Sequence, residues 1–135
     1  MRSFLVCLLA MSLLCLTAVV ASAQDVPPPI QTSGAAKYMS GGFGLGQRQA
    51  MTAIANQFNL KMEFAMTSGA YIADVQVTIT DSQGAAVLTD ISKGPWFMAS
   101  LPAGAYTVNV SFNGGSKSQA VSLDNTLKTI VFRWD

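Results

Sequence analysis

The run Val75-Gln76-Val77-Thr78-Ile79-Thr80-Asp81-Ser82-Gln83-Gly84 decides how the rest of this chain is read. Val75, Val77 and Ile79 alternate with Gln76, Thr78 and Thr80, so the segment is a strand with one buried and one wetted face. Asp81 to Gly84 then supplies turn chemistry: an aspartate able to bond its own backbone, and a glycine free to take positive φ. Val87 to Ile91 is the natural returning strand. The same period of two appears upstream in Leu60, Met62, Phe64 and Met66. Downstream it appears in Tyr106, Val108, Val110 and Phe112, which end at the turn Asn113-Gly114-Gly115. Ser118 to Leu123 returns from that turn. Trp96 to Leu101 is a short apolar segment ahead of Pro102, and Ile130, Phe132 and Trp134 alternate near the end. Lys37 to Ser40 is a further short strand candidate. The period changes once, where Met51, Ile54, Ala55 and Phe58 form the stripe of an amphipathic helix over 47–58. The pattern predicts a mainly β chain, an antiparallel β-sandwich of about six or seven strands with one short amino-terminal helix. A membrane β-barrel would need at least eight strands of about 9–11 residues, and these are too short and too few.

The amino-terminal third reads differently. Arg2, the apolar stretch Phe4 to Val20 and the small residues Ala21-Ser22-Ala23 predict a signal peptide over 1–23, removed before Gln24. A retained anchor is the alternative, disfavoured by the cleavage site and the polar residues after it. Lipidation at Cys15 is disfavoured because Leu14 is not small. Residues 24–36, with Pro27-Pro28-Pro29, read as a flexible linker, and 37–135 as one domain. Of 135 residues about 112 remain after the leader, enough for a single core and too few for two. Both cysteines, Cys7 and Cys15, fall in the leader, so the exported part relies on its apolar core without disulfides. Without Arg2, seven Lys and Arg balance seven Asp and Glu, which removes the electrostatic warrant for nucleic acid or an anionic membrane.

Two segments carry a resemblance. Val75 to Gly84, Leu101-Pro102-Ala103-Gly104-Ala105-Tyr106-Thr107-Val108-Asn109-Val110 and Gly114 resemble the carboxypeptidase regulatory-like family of transthyretin-like accessory sandwiches. More widely, Ser40 to Gly44, Phe64-Ala65, Ser68 to Val75, Gly94-Pro95-Trp96 and Phe132-Arg133-Trp134 look like small secreted proteobacterial proteins labelled by that domain. The resemblance implies a fold and a compartment, with no activity or site to carry over. In it Gly84 closes a hairpin, and Gly104 swings the chain so that Tyr106 enters the sandwich.

The chemical inventory is thin. The chain has no histidine, which excludes Ser-His nucleophile schemes, and the purine-pathway hydrolases of the transthyretin-like fold need histidines that are absent here. Gly41-Gly42-Phe43-Gly44-Leu45-Gly46 leads into the helix, but Gln47 stands where a dinucleotide fingerprint needs its third glycine. No P-loop lysine follows, so a structural turn with Phe43 and Leu45 plugging helix to sheet is expected. Lys117 between Ser116 and Ser118 is expected to be solvated. Asp74 and Asp81 flank one strand and cannot converge. Met39, Met51, Met62, Met66 and Met98 are soft ligands able to hold Cu(I), though thioethers on apolar faces are more often core. Lys61, Asn109 and Glu63 are the raw material of an isopeptide crosslink.

Aromatics remain. Trp96 and Phe97 are the candidate contacts for a ligand or partner, with Tyr71 and Tyr106 elsewhere, as a stacking platform for sugar, although alternation lets only one of Trp96 and Phe97 avoid the core. The resulting expectation is a noncatalytic exported sandwich, periplasmic or secreted, with no cofactor and no metal. Its partner is another envelope or secreted protein, with polysaccharide as the alternative, and without nucleic acid or stable membrane insertion. A histidine-free enzyme would require Asp74, Asp90 and Lys93 to converge on one pocket.

Overall fold

Strand alternation becomes two packed sheets in the computed structural model, which describes residues 26–135. The expected signal peptide and the first linker residues lie outside the described residues. The elements are β1 (Gln31–Ser33), β2 (Ala36–Gly41), α1 (Leu45–Ala53), a 3-10 turn (Ala55–Gln57), β3 (Leu60–Met66), β4 (Val75–Asp81) and β5 (Ala86–Ser92). They continue with β6 (Trp96–Ser100), β7 (Gly104–Phe112), β8 (Gly115–Leu123) and β9 (Lys128–Trp134). One sheet runs β1-β2-β6-β3-β9, the other β5-β4-β7-β8. The chain is thus a mainly β sandwich with one short helix.

Three features depart from the sequence reading. The described residues hold nine strands where six or seven are expected: all eight segments singled out by pattern form strands, and the segment read as linker adds β1, paired antiparallel to β2 with Gln31 opposite Tyr38. Three prolines mask that strand in the sequence without preventing it. The last strand joins β3 in parallel, Leu60 opposite Lys128 through Met66 opposite Trp134, where antiparallel pairing was expected throughout. The helix ends at Ala53, with Ile54 (φ −113°, ψ 13°) outside helical geometry, and the stripe reaches Phe58 through the 3-10 turn.

The core between the sheets is built from the alternating faces. Leu60, Met62 and Phe64 of β3, Val75, Val77 and Ile79 of β4, Val108 of β7 and Phe97 of β6 are fully enclosed. Tyr38 stacks on Phe97 at 5.6 Å, and Phe64 packs against Phe132 and Trp134 at 6.1 and 6.2 Å. Offset and tilted aromatic pairs of this kind add about 0.5–1.5 kcal/mol each beyond area burial.

A second, smaller core lies on the outer side of the five-stranded sheet. Met39 of β2 and Met98 of β6 are direct cross-strand partners, and Met51 of α1 and Phe58 close over them. This explains why β2 and β6 lack clean alternation: the helix covers their outer face, so both faces are apolar. No acidic residue lies in the first turn of α1 and no side chain caps its start. A nine-residue helix with no side-chain cap at its start is held by this packing rather than by its own propensity.

Candidate interaction surface

The turn Gly42–Gly44 joins β2 to α1 and, with the first residue of the helix, carries two exposed large apolar side chains, Phe43 and Leu45. Gly42 has φ 97°, a conformation that strains any L side chain, and a Cβ there would press on Trp96 at 3.2 Å. Two residues of α1 fix the loop from below. The Gly42 N–H donates to Gln47 Oε1 at 2.7 Å, and Arg48 Nη1 donates to the Gly42 carbonyl at 2.8 Å. The glycine cluster is therefore a structural turn tied to its own helix, as expected.

What the turn displays differs from expectation. Phe43 and Leu45 are 55% and 64% exposed, so they do not plug the helix onto the sheet. The methionines of the second core already fill that space; positive φ at Gly42 and Gly44 turns Phe43 outward, and Leu45 opens α1 on its exposed side. Arg48, which holds the Gly42 carbonyl, also places its guanidinium 4.9 Å above the ring of Tyr71, half exposed in the β3–β4 connection, and so links Tyr71 to this turn. The only salt bridge among the described residues is Lys61 with Glu63, so Arg48 has no carboxylate partner there. Lys93 adjoins the same turn, its N–H donating to Ser40 Oγ at 2.9 Å.

Trp96 and Phe97 separate as alternation requires. Phe97 is fully buried and stacked on Tyr38, which removes it as a contact residue. Trp96 is half-buried beside Gly42, with the Lys61 ammonium 3.3 Å from its ring centroid and Glu63 3.0 Å from that ammonium. A sugar would have to displace this cation–π contact to stack there. The Trp96 Nε1–H is buried without a hydrogen-bond partner, consistent with an indole packed edge-in against the methionine core.

The remaining candidates are structural. Gly84 (φ 80°) closes the β4–β5 turn, where Asp81 Oδ1 accepts from the N–H groups of Gln83 and Ala85 at 2.9 and 3.0 Å. Gly104 opens β7, and Tyr106 turns into the core, its hydroxyl donating to the Pro102 carbonyl at 2.6 Å. Burial, with Asp81 nearby, raises the Tyr106 pKa above its usual value. A cavity of about 520 Å³ opens at this end of the sandwich, lined partly by Ser33, Asp81, Leu101 and Tyr106. Its two titratable groups are both committed, the carboxylate to the turn and the phenol to Pro102.

Asp74 and Lys93 are exposed, whereas Asp90 is half-buried, accepts its neighbour Ile91's N–H at 2.7 Å and lies beside Tyr38. They do not converge in an enclosed site. Lys61 and Asn109 lie on opposite outer faces of the sandwich, which rules out the isopeptide bond. Met39, Met51 and Met98 meet in the second core while Met62 lies in the first, so the soft ligands are divided. Among the described residues no three of Asp, Glu, His and Cys group as a metal site, and no helix is long and apolar enough to cross a membrane.

Sequence reasoning missed Arg48 and weighed Tyr71 only as one aromatic of a sugar platform, although the alternation of glycine with Phe43 and Leu45 was a usable signal. Glycine on both sides of a large apolar residue gives it no neighbours to pack against. No family model and no curated protein matches this chain.

Proposed function

We propose that this chain is a noncatalytic exported module that docks onto another envelope or secreted protein through Phe43, Leu45 and Tyr71. The observation carrying this reading is the exposure of two large apolar side chains on a turn that Gln47 and Arg48 hold rigid. Scattered exposed apolar residues need no explanation, but a grouped set with an aromatic and an arginine that has no carboxylate partner among the described residues matches the composition of binding hot spots. A partner suited to it offers an apolar recess with a carboxylate on its rim, meeting Arg48 and Lys93. Export rests on the leader over 1–23, and the noncatalytic reading on the missing acid–base inventory. The covered face of Trp96 and the burial of Phe97 weigh against the polysaccharide alternative.

The test compares the native protein with Phe43→Ser/Leu45→Ser in affinity capture from envelope and culture fractions after mild crosslinking. A stoichiometric protein partner lost on double substitution, with the unfolding midpoint unchanged, supports the reading. Retention of the same partner by the variant places its site elsewhere and sinks it.

A further inference from the structure

The four free strand edges of the sandwich are not alike. β1 is three residues long and follows Pro27-Pro28-Pro29, which cannot donate. β5 is broken by a register shift opposite Ile79 and Thr80. It is also capped by side chains, with Ser33 Oγ reaching the Val87 carbonyl and Asp90 Oδ1 accepting the Ile91 N–H. β9 carries Lys128 and Arg133 and lies against β8, where Trp134 Nε1 donates to the Gly115 carbonyl at 3.0 Å. These are the usual devices that keep an edge from pairing. β8 has nine residues in unbroken register with β7, without proline or bulge, and one charge, Lys117.

The backbone groups β8 leaves free follow from its turn. Asn113 (φ 47°) and Gly114 (φ 78°) make a two-residue hairpin loop of type I′, so Phe112 and Gly115 form a pair that exchanges both hydrogen bonds. Hydrogen-bonded pairs recur every second residue at Lys117, Gln119 and Val121. The intervening Ser116, Ser118, Ala120 and Ser122 aim their N–H and C=O away from β7. The Lys128 ammonium, which reaches the Ser122 carbonyl from outside, agrees with this phase and closes that end of the edge. Ser116, Ser118 and Ala120 remain, exposed and with no backbone partner among the described residues.

We propose that this edge pairs antiparallel with the same edge of a second copy, on a two-fold axis through Ser118. The stretch is self-complementary in that register. Ser118 faces Ser118 of the other copy, Ser116 faces Ala120, and Lys117 faces Gln119, so no like charges oppose and no large side chain intrudes. Lys117 leans toward Trp134, 5.9 Å from its ring, and leaves the seam clear. Six backbone hydrogen bonds form, and the two four-stranded sheets become one of eight. The dimer presents two Phe43–Tyr71 ends, although the pairing does not depend on what those ends bind.

Sedimentation of the leader-free protein up to about 0.5 mM, a range in which weak pairs are populated, tests the association. A dimer is expected, and Ser118→Pro is expected to be monomeric with an unchanged unfolding midpoint, because the removed N–H lies outside the β7 ladder. Ser118→Lys, which sets two like charges face to face, gives a second monomeric variant if proline disturbs the fold. Register is read by mild oxidation of single-cysteine variants of the leader-free protein, which holds no other cysteine. Ser118→Cys crosslinks two copies, whereas Ala120→Cys does not, since its counterpart lies four residues away along the strand. A native protein monomeric throughout, dimers that survive both Ser118 variants, or equal crosslinking at 118 and 120 would each overturn the proposal. So would a monomer whose edge is taken by a different protein.

Discussion

Asn59 holds three chain segments with one amide. Its Nδ2 donates to the carbonyls of Leu101 and Asp124 at 2.7 and 3.0 Å, and its Oδ1 accepts the Leu101 N–H at 3.0 Å. Asn59→Ala leaves these buried groups unpaired and is expected to cost about 2–4 kcal/mol, measured by chemical denaturation. Asparagine before a strand reads as ordinary loop chemistry, so nothing in the sequence marked it. Tyr106, by contrast, was legible as the first inward residue after Pro102-Ala103-Gly104. Tyr106→Ala should cost about 3–5 kcal/mol, and Tyr106→Phe, which loses only the bond to Pro102, about 1 kcal/mol. The pKa values of Tyr38 and Tyr106 are raised, chiefly by burial, with Asp90 and Asp81 adding to it. The folded state therefore holds these protons more tightly than the unfolded chain. Their contribution is complete below the usual tyrosine value of about 10 and is lost as pH climbs through the raised values. Alkaline titration of the unfolding midpoint should show that loss, shallower in Tyr106→Phe. Asp124 has the opposite sense. Its pKa is lowered by the Thr126 hydroxyl and then by the Thr126 N–H, so its contribution is lost as pH falls.

Among the elements, α1 is the one whose existence depends most on its neighbours. Met51 is its one buried residue, and Met51→Ala removes the contact with Met39 and Met98. The expected cost is about 2–5 kcal/mol, with the amides of α1 losing hydrogen-exchange protection before those of the sheets. Gly94→Ala acts on the same layer from the sheet side, since a Cβ there meets the backbone of Gly41 and forces β2 from the β5–β6 connection. Strands with one wet face, β4, β7 and β9, were readable from period alone. Those with helix on one side and sandwich on the other, β2 and β6, were visible only as short apolar runs. The exposed pair Phe43 and Leu45 departs from expectation for a related reason: apolar residues beside an amphipathic helix suggest packing, whereas positive φ at Gly42 and Gly44 turns Phe43 to solvent and Leu45 opens the helix on its exposed side. Trp96 and Phe97 were read correctly as a pair that must split. Which of them stays at the surface was settled by the phase of β6 against β3, where Trp96 faces Glu63 and Phe97 faces Met62.

At the scale of the whole molecule, the final strand enters the interior of the fold. β9 contributes Ile130, Phe132 and Trp134 to the core between the sheets, so removing residues 128–135 should abolish cooperative unfolding and disperse the core. A truncated chain that still melts in one sharp transition would contradict that assignment. The parallel seam that places β9 joins Leu60 to Lys128, 68 positions apart, and no turn can pre-form it. Closing so long a loop before any contact rewards it makes for slow folding, on the scale of milliseconds to seconds rather than microseconds. In any chain delivered amino end first, β3 lacks its parallel partner until Lys128–Trp134 have followed it, so β9 acts as a latch that cannot shut early.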